Sequence, residues 1–154
     1  MNLLVIDSKN AAKIYSEAGP ELKKQIEKAF GKIINAKVTD RIKTFEDACI
    51  DQDIDIDQFS TSTLLDSADE LAYKKAKIIT KALNEGWVPD WNNSNERKWR
   101  PWFYLDSPGF RFFGSRYAYS GSYSAGGSRL CFKSEELCEY AAKQFIDIYR
   151  ELYN

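Results

Sequence analysis

The sequence predicts an α+β fold: a helical N-terminal half, a small antiparallel sheet of three to four strands, and a C-terminal helix packed on the sheet. Three observations predict it. Residues 1–86 carry apolar positions at three- and four-residue spacing, interrupted by Gly and Pro. Residues 87–133 are aromatic and alternating, cut by Pro, Gly and Ser. Residues 134–152 return to helical spacing. At 154 residues the chain is read as a single domain over 1–154.

In order, "SKNAAKIYSEA" (8–18) reads as a short helix capped by Ser8, broken at Gly19-Pro20. Pro20 suits the first turn of a second helix, "PELKKQIEKAF", with Leu22, Ile26 and Phe30 on one face and Gly31 as its stop. A third helix is expected over 40–50, with Ile42, Phe45 and Cys49 on one face. "DQDIDIDQFSTST" (51–63) reads as an acidic connection, with a short exposed strand in "DIDID" as the alternative. Residues 66–86 form the clearest helix, capped by Asp66 or Ser67, with Ala72, Ala76, Ile79 and Leu83 as its buried stripe and Gly86 at its end. "PWFYL", "GFRFFGS", "RYAYSGSY" and "SRLCFK" read as the strands. Ser134 caps the last helix, with Leu137, Ala141, Phe145, Ile148 and Leu152 as its stripe.

The chain contains no histidine. That removes Ser-His-Asp and Cys-His nucleophiles, histidine general bases and Cys/His zinc sites. Cys49, Cys131 and Cys138 form no C-x-x-C pair and are odd in number, so they read as buried hydrophobes in a reducing compartment. The start "MNLLVIDSKN" has only four consecutive apolar residues, Leu3 to Ile6, which fits neither a signal peptide nor a membrane span. A cytoplasmic protein without membrane contact is expected.

Charge is near balance at −1, but it is blocked. Residues 1–43 carry nine bases against five acids, 44–71 carry nine acids and no base, and 91–133 carry seven bases against two acids. Such blocks attract one another within a fold or present faces of opposite sign to partners.

Two motif imitations fail on their own terms. "GSYSAGGS" (121–128) has Gly127 where a phosphate loop needs lysine, and a strand-like segment follows where a helix is needed, so a hairpin tip is the better reading. "DQDIDID" has Ile56 and Ser62 where a calcium loop needs Gly and Glu, so it reads as a solvated acidic stretch. Asp90, Glu96 and Asp106 are the acids nearest the aromatic segment, and nothing in their spacing pairs them for hydrolysis. No catalytic residue, metal or cofactor is predicted.

All four tryptophans fall between Trp87 and Trp102, and thirteen aromatics lie between Trp87 and Phe132 with arginines among them. Exposed aromatics interleaved with arginine suit stacked bases and phosphates, or a protein partner. The competing reading is a core filled by rings. Trp87, Trp91 and Trp102 are expected as anchors on the core, and Trp99 as partly outside. The candidate surface is Trp99, Arg97, Arg100, Arg111, Arg116, Tyr117 and Tyr119, with Tyr123 sharing the face of the last two tyrosines.

"DRIKTFEDAC", "ALNEGWVPDWNNSNERKWRPWF" and "GSRLCFKSEELCEYAAKQFIDIY" resemble a family of small, uncharacterised proteins of Bacteroidetes-type gut bacteria and of their phages and mobile elements. The resemblance runs from about Lys13 to Tyr153 and implies a phage-related setting, with no activity or site residue to carry over. The expectation is a non-enzymatic binding or accessory module acting through protein–protein contacts, including self-association. A single-stranded nucleic-acid binder using the basic aromatic sheet is the alternative, and a carboxylate-based enzyme ranks last.

Overall fold

A computed structural model describes residues 14–15, 17–34, 36–122 and 128–153, with side chains 32–34 left out. The chain divides into two compact units, residues 1–41 and 42–154. Most of the expected helix at 8–18, Tyr123 and most of the 121–128 loop lie outside the described residues; residues 14, 15 and 17 are helical.

In the first unit, helix α1 spans Pro20–Ile34. Pro20 opens it as expected, because the first turn needs no N–H from that residue. Gly31 does not end it: the backbone leaves helical geometry at Phe30 (φ −133, ψ 16) and the helix resumes. Helix α2 is the single turn Val38–Arg41.

The second unit starts with helix α3, Phe45–Asp51, shorter than the helix expected over 40–50. The reason is a reciprocal cap. Asp47 N–H donates to Thr44 Oγ1 at 3.1 Å and Thr44 N–H to the Asp47 carboxylate at 2.9 Å, so a new helix begins there. The acidic stretch is neither connector nor strand. After a turn at Asp53 (φ 54), Asp55 caps helix α4, Ile56–Ser62, accepting from Gln58 N–H at 2.8 Å. Its acids are thus placed by helix ends, and Phe59 packs on Phe45 with centroids 5.1 Å apart.

Helix α5, Ala68–Leu83, follows its sequence closely. Ser67 N–H donates to Glu70 and its hydroxyl to Asp69, at 2.9 and 2.6 Å. Ala72, Ala76, Ile79 and Leu83 are buried. The helix ends at Asn84, before the positive-φ pair Glu85 and Gly86. Asn84 is itself buried. Its Nδ2 donates to Cys131 C=O at 2.8 Å and its Oδ1 accepts from Lys133 N–H at 3.0 Å.

The sheet among the described residues has two strands, not three or four. β1 (Lys98–Tyr104) begins at Lys98, ahead of the expected start near Trp102, and pairs antiparallel with β2 (Arg111–Ala118). "GFRFF" and "SRYA" merge into the one strand β2, with an irregularity where Trp102 faces Gly114 and Phe103 faces Phe112. "SRLCFK" contributes a single bridge: Trp99 N–H to Phe132 C=O at 3.0 Å and Phe132 N–H to Trp99 C=O at 2.8 Å. Extending it would set Pro101 against Leu130, and proline has no N–H to donate. In the other direction Ser134 already caps the next helix.

The predicted C-terminal helix is two: α6 (Glu135–Gln144) and α7 (Ile146–Tyr153). The break at Phe145 rotates the stripe, so Tyr149 is buried while Ile148 is only half-buried. Helix α6 packs on both strands and α7 on α5. Tyr140 Oη donates to Ile42 C=O at 2.7 Å and Gln144 to Lys43 C=O at 2.8 Å, tying α6 to the start of the unit. Phe132, Leu83, Ile79, Cys138 and Ala141 form the core. No helix among the described residues is long and apolar enough to cross a membrane.

Candidate functional site

The segment 87–97 sets where β1 begins. Lys98 is wholly buried, and its ammonium donates to Asp90 C=O at 2.5 Å and Asn93 C=O at 3.1 Å. It also meets Glu96 Oε1 at 3.2 Å and sits over the Trp91 ring at 5.5 Å. Glu96 accepts from Asp90 N–H at 2.9 Å and from Trp87 Nε1 at 3.3 Å. A buried charge needs such partners. Together they curl residues 87–97 around one ammonium.

Glu96 is thereby spent on structure. Partial burial raises its pKa, but the hydrogen bonds from Asp90, Lys98 and Trp87, with the Lys98 charge, outweigh that and hold it below the ordinary value. Asp106 lies at the other end of the hairpin, where Arg111 Nη1 donates to Oδ1 at 3.0 Å. Glu96 and Asp106 are therefore not a hydrolytic pair. Among the described residues no cluster of three or more Cys, Asp or Glu is placed to hold a metal ion.

Alternate strand residues point to opposite faces. One face carries Trp99 opposite Tyr117 and Pro101 opposite Ser115. Here four of the expected residues meet. Tyr117 abuts Trp99 edge-on at 4.9 Å and Tyr119 at 5.5 Å, and the Arg97 guanidinium stacks on Tyr117 at 4.7 Å. A hydrogen bond with Tyr119, then the nearby phenols, push the Arg97 pKa up. Ser115 Oγ donates to Glu135 at 2.7 Å, so this face looks toward the start of α6. Farther along, Phe103 packs among Phe110, Phe112, Tyr149 and Tyr153. Trp99, Tyr117, Glu135 and Tyr153, together with Trp102 and Arg116, help line an open groove of about 740 Å³, which draws on residues of both faces.

The other face carries Arg100 opposite Arg116, Trp102 opposite Gly114, and Tyr104 opposite Arg111. Arg116 stacks on Trp102 at 5.0 Å and Arg111 on Tyr104 at 4.4 Å, while Phe113 meets Tyr104 at 4.6 Å. Trp102, Tyr104 and Phe113 are 43%, 39% and 51% exposed. A Cβ built at Gly114, opposite Trp102, would meet nothing within 4 Å.

The expected site thus divides. Arg97, Trp99, Tyr117 and Tyr119 form one cluster, whereas Arg111 and Arg116 stack on Tyr104 and Trp102, and the Arg100 charge acts on Cys131, Cys138 and Tyr153. Trp102, expected as a core anchor, is instead an exposed ring, and Trp99 is half-buried. Tyr104 and Phe113 were not among the expected site residues. Their signal is the alternation Arg100-Trp102-Tyr104, which needs the strand to start at Lys98.

Compared with known proteins, the chain matches no family model, no curated protein and no solved structure.

Proposed function

We propose that this chain is a binding module that engages a protein partner through the outward face of its hairpin. The observation that carries the reading is the exposed run Arg116–Trp102 and Arg111–Tyr104–Phe113, held on a paired backbone. Trp, Tyr and Arg dominate the residues that supply binding energy at protein interfaces. Rings fixed by stacked guanidinium groups lose little side-chain entropy on binding. The resemblance noted in the sequence supports a phage or mobile-element setting for such an accessory module.

A second reading is single-stranded nucleic acid. It is favoured by Arg111, Arg116 and three aromatics sharing one exposed face. Two facts favour protein instead. The faces of Trp102 and Tyr104 are already covered by arginine, so a base would have to displace it. Arg111 is also neutralised by Asp106.

Tryptophan fluorescence titrated with a mixed-sequence oligonucleotide at low salt separates the two readings. The protein reading expects no saturable quenching. Quenching that weakens steeply with salt, and that Trp102→Ala abolishes, replaces it with the nucleic-acid reading.

A further inference from the structure

Among the described residues, strand β2 has a neighbour along one side only. The Trp99–Phe132 bridge fixes the phase of the ladder, because Trp99 turns its N–H and C=O away from β2. In an antiparallel pair, hydrogen-bonded and non-hydrogen-bonded positions alternate. Trp99–Tyr117 and Pro101–Ser115 are therefore the non-bonded pairs, and Ser115 and Tyr117 turn their N–H and C=O outward. Neither backbone has a hydrogen-bond partner there among the described residues. An open edge of this kind is a template for another strand.

Charge indicates what arrives. β2 holds Arg111 and Arg116 and no acid, and Arg116 has no carboxylate partner among the described residues. A second copy is disfavoured in the register that uses both residues of each strand. Two-fold pairing that joins Ser115 to Tyr117 of the copy sets Arg116 directly against itself, and like charges directly opposite destabilise a sheet. An acidic side chain at that position reverses the sign.

We propose that the free edge of β2 receives an extended, acidic segment of a partner protein as an added strand. The proposal rests on the protein-partner reading and adds its mode and the chemistry of the partner. The outward N–H and C=O groups of Ser115 and Tyr117 bind its backbone, and Arg116 reads its acid.

The test selects binders to the full chain from a displayed library of random linear peptides and compares four variants. Ser115→Pro removes one outward N–H without touching the β1 ladder. Ser115→Ala keeps that N–H and loses only the hydroxyl bond to Glu135. Arg116→Glu reverses the charge, and Trp102→Ala reports on the face. The expected result is acid-rich peptides, with affinity falling at least about tenfold in Ser115→Pro and Arg116→Glu and unchanged in Ser115→Ala. Slowed hydrogen exchange at the Ser115 and Tyr117 amides on adding a selected peptide is expected too, and it decides the matter if Ser115→Pro fails to fold.

Peptides that bind Ser115→Pro as well as the parent, or leave those amides unprotected, overturn strand addition. If Trp102→Ala weakens such binding, the face reading stands. Neutral or basic peptides overturn the acidic partner. No peptide at all, with oligonucleotide binding in its place, overturns both readings.

Discussion

The Lys98 ammonium, on a side chain with no solvent exposure, lies 3.2 Å from Glu96 Oε1. Around it the chain turns out of α5 and into β1, so two charges two residues apart decide where the sheet begins.

Lys98→Met is expected to lower the urea midpoint and to red-shift tryptophan emission before the main unfolding transition. It strips Asp90 and Asn93 of their donor and leaves Glu96 without its cation. A single transition with unchanged early emission would show that residues 87–97 hold their course without the ammonium.

The pH dependence has a definite sign. The Glu96 pKa is depressed in the folded chain, so its contribution is present above the unfolded value of about 4.3 and is lost as pH falls through the lower folded value. Urea midpoints measured against pH should therefore fall less steeply below about pH 4.3 in Glu96→Gln than in the parent. Equal slopes would remove Glu96 from the acid response.

Asn84→Ala should cost about 2 kcal/mol, because it leaves the Cys131 carbonyl and the Lys133 N–H without their buried partner. Asn84→Asp keeps the acceptor for Lys133 and loses the donor to Cys131. An equilibrium denaturation series should place it below the parent.

Trp102 and Phe103 are neighbours on opposite faces, and they should part company. Trp102→Ala is expected to change stability by within about 0.5 kcal/mol, as at an exposed position. Phe103→Ala should cost about 3 kcal/mol, since it removes a ring packed on four others. Similar losses for both would mean that the outward face is also packed.

The three thiols should be silent toward a disulfide reagent at pH 8 until urea opens the chain. All are buried, and burial pushes the Cys131 thiol up to about 11. Rapid labelling of any one in the native protein would show an opening that the packing around α6 does not display.

What was legible in the sequence is what is local. Helix α5 can be read from Ser67, Glu70 and the stripe Ala72–Ala76–Ile79–Leu83, because cap and face lie within one stretch of chain. The Asp55 cap was equally present, yet the Ile-Asp alternation beside it competes for a strand reading, and the packing of Phe59 on Phe45 is what favours the helix. The missing strands are a non-local matter. "SRLCFK" has strand character, but its length in the sheet is set by Pro101 and Ser134, which meet it only through the Trp99–Phe132 bridge. The same bridge sets which rings face outward, so Trp102 leaves the core-anchor role that spacing assigned it, while Trp99 is partly outside as expected.

Pro101 also governs how many partners the sheet can take. With the outer side of β1 closed by a residue that cannot donate, strands can be gained on the β2 side alone. Under the proposed strand addition, each hairpin has room for one added strand, and the residue that shortens the sheet sets that limit.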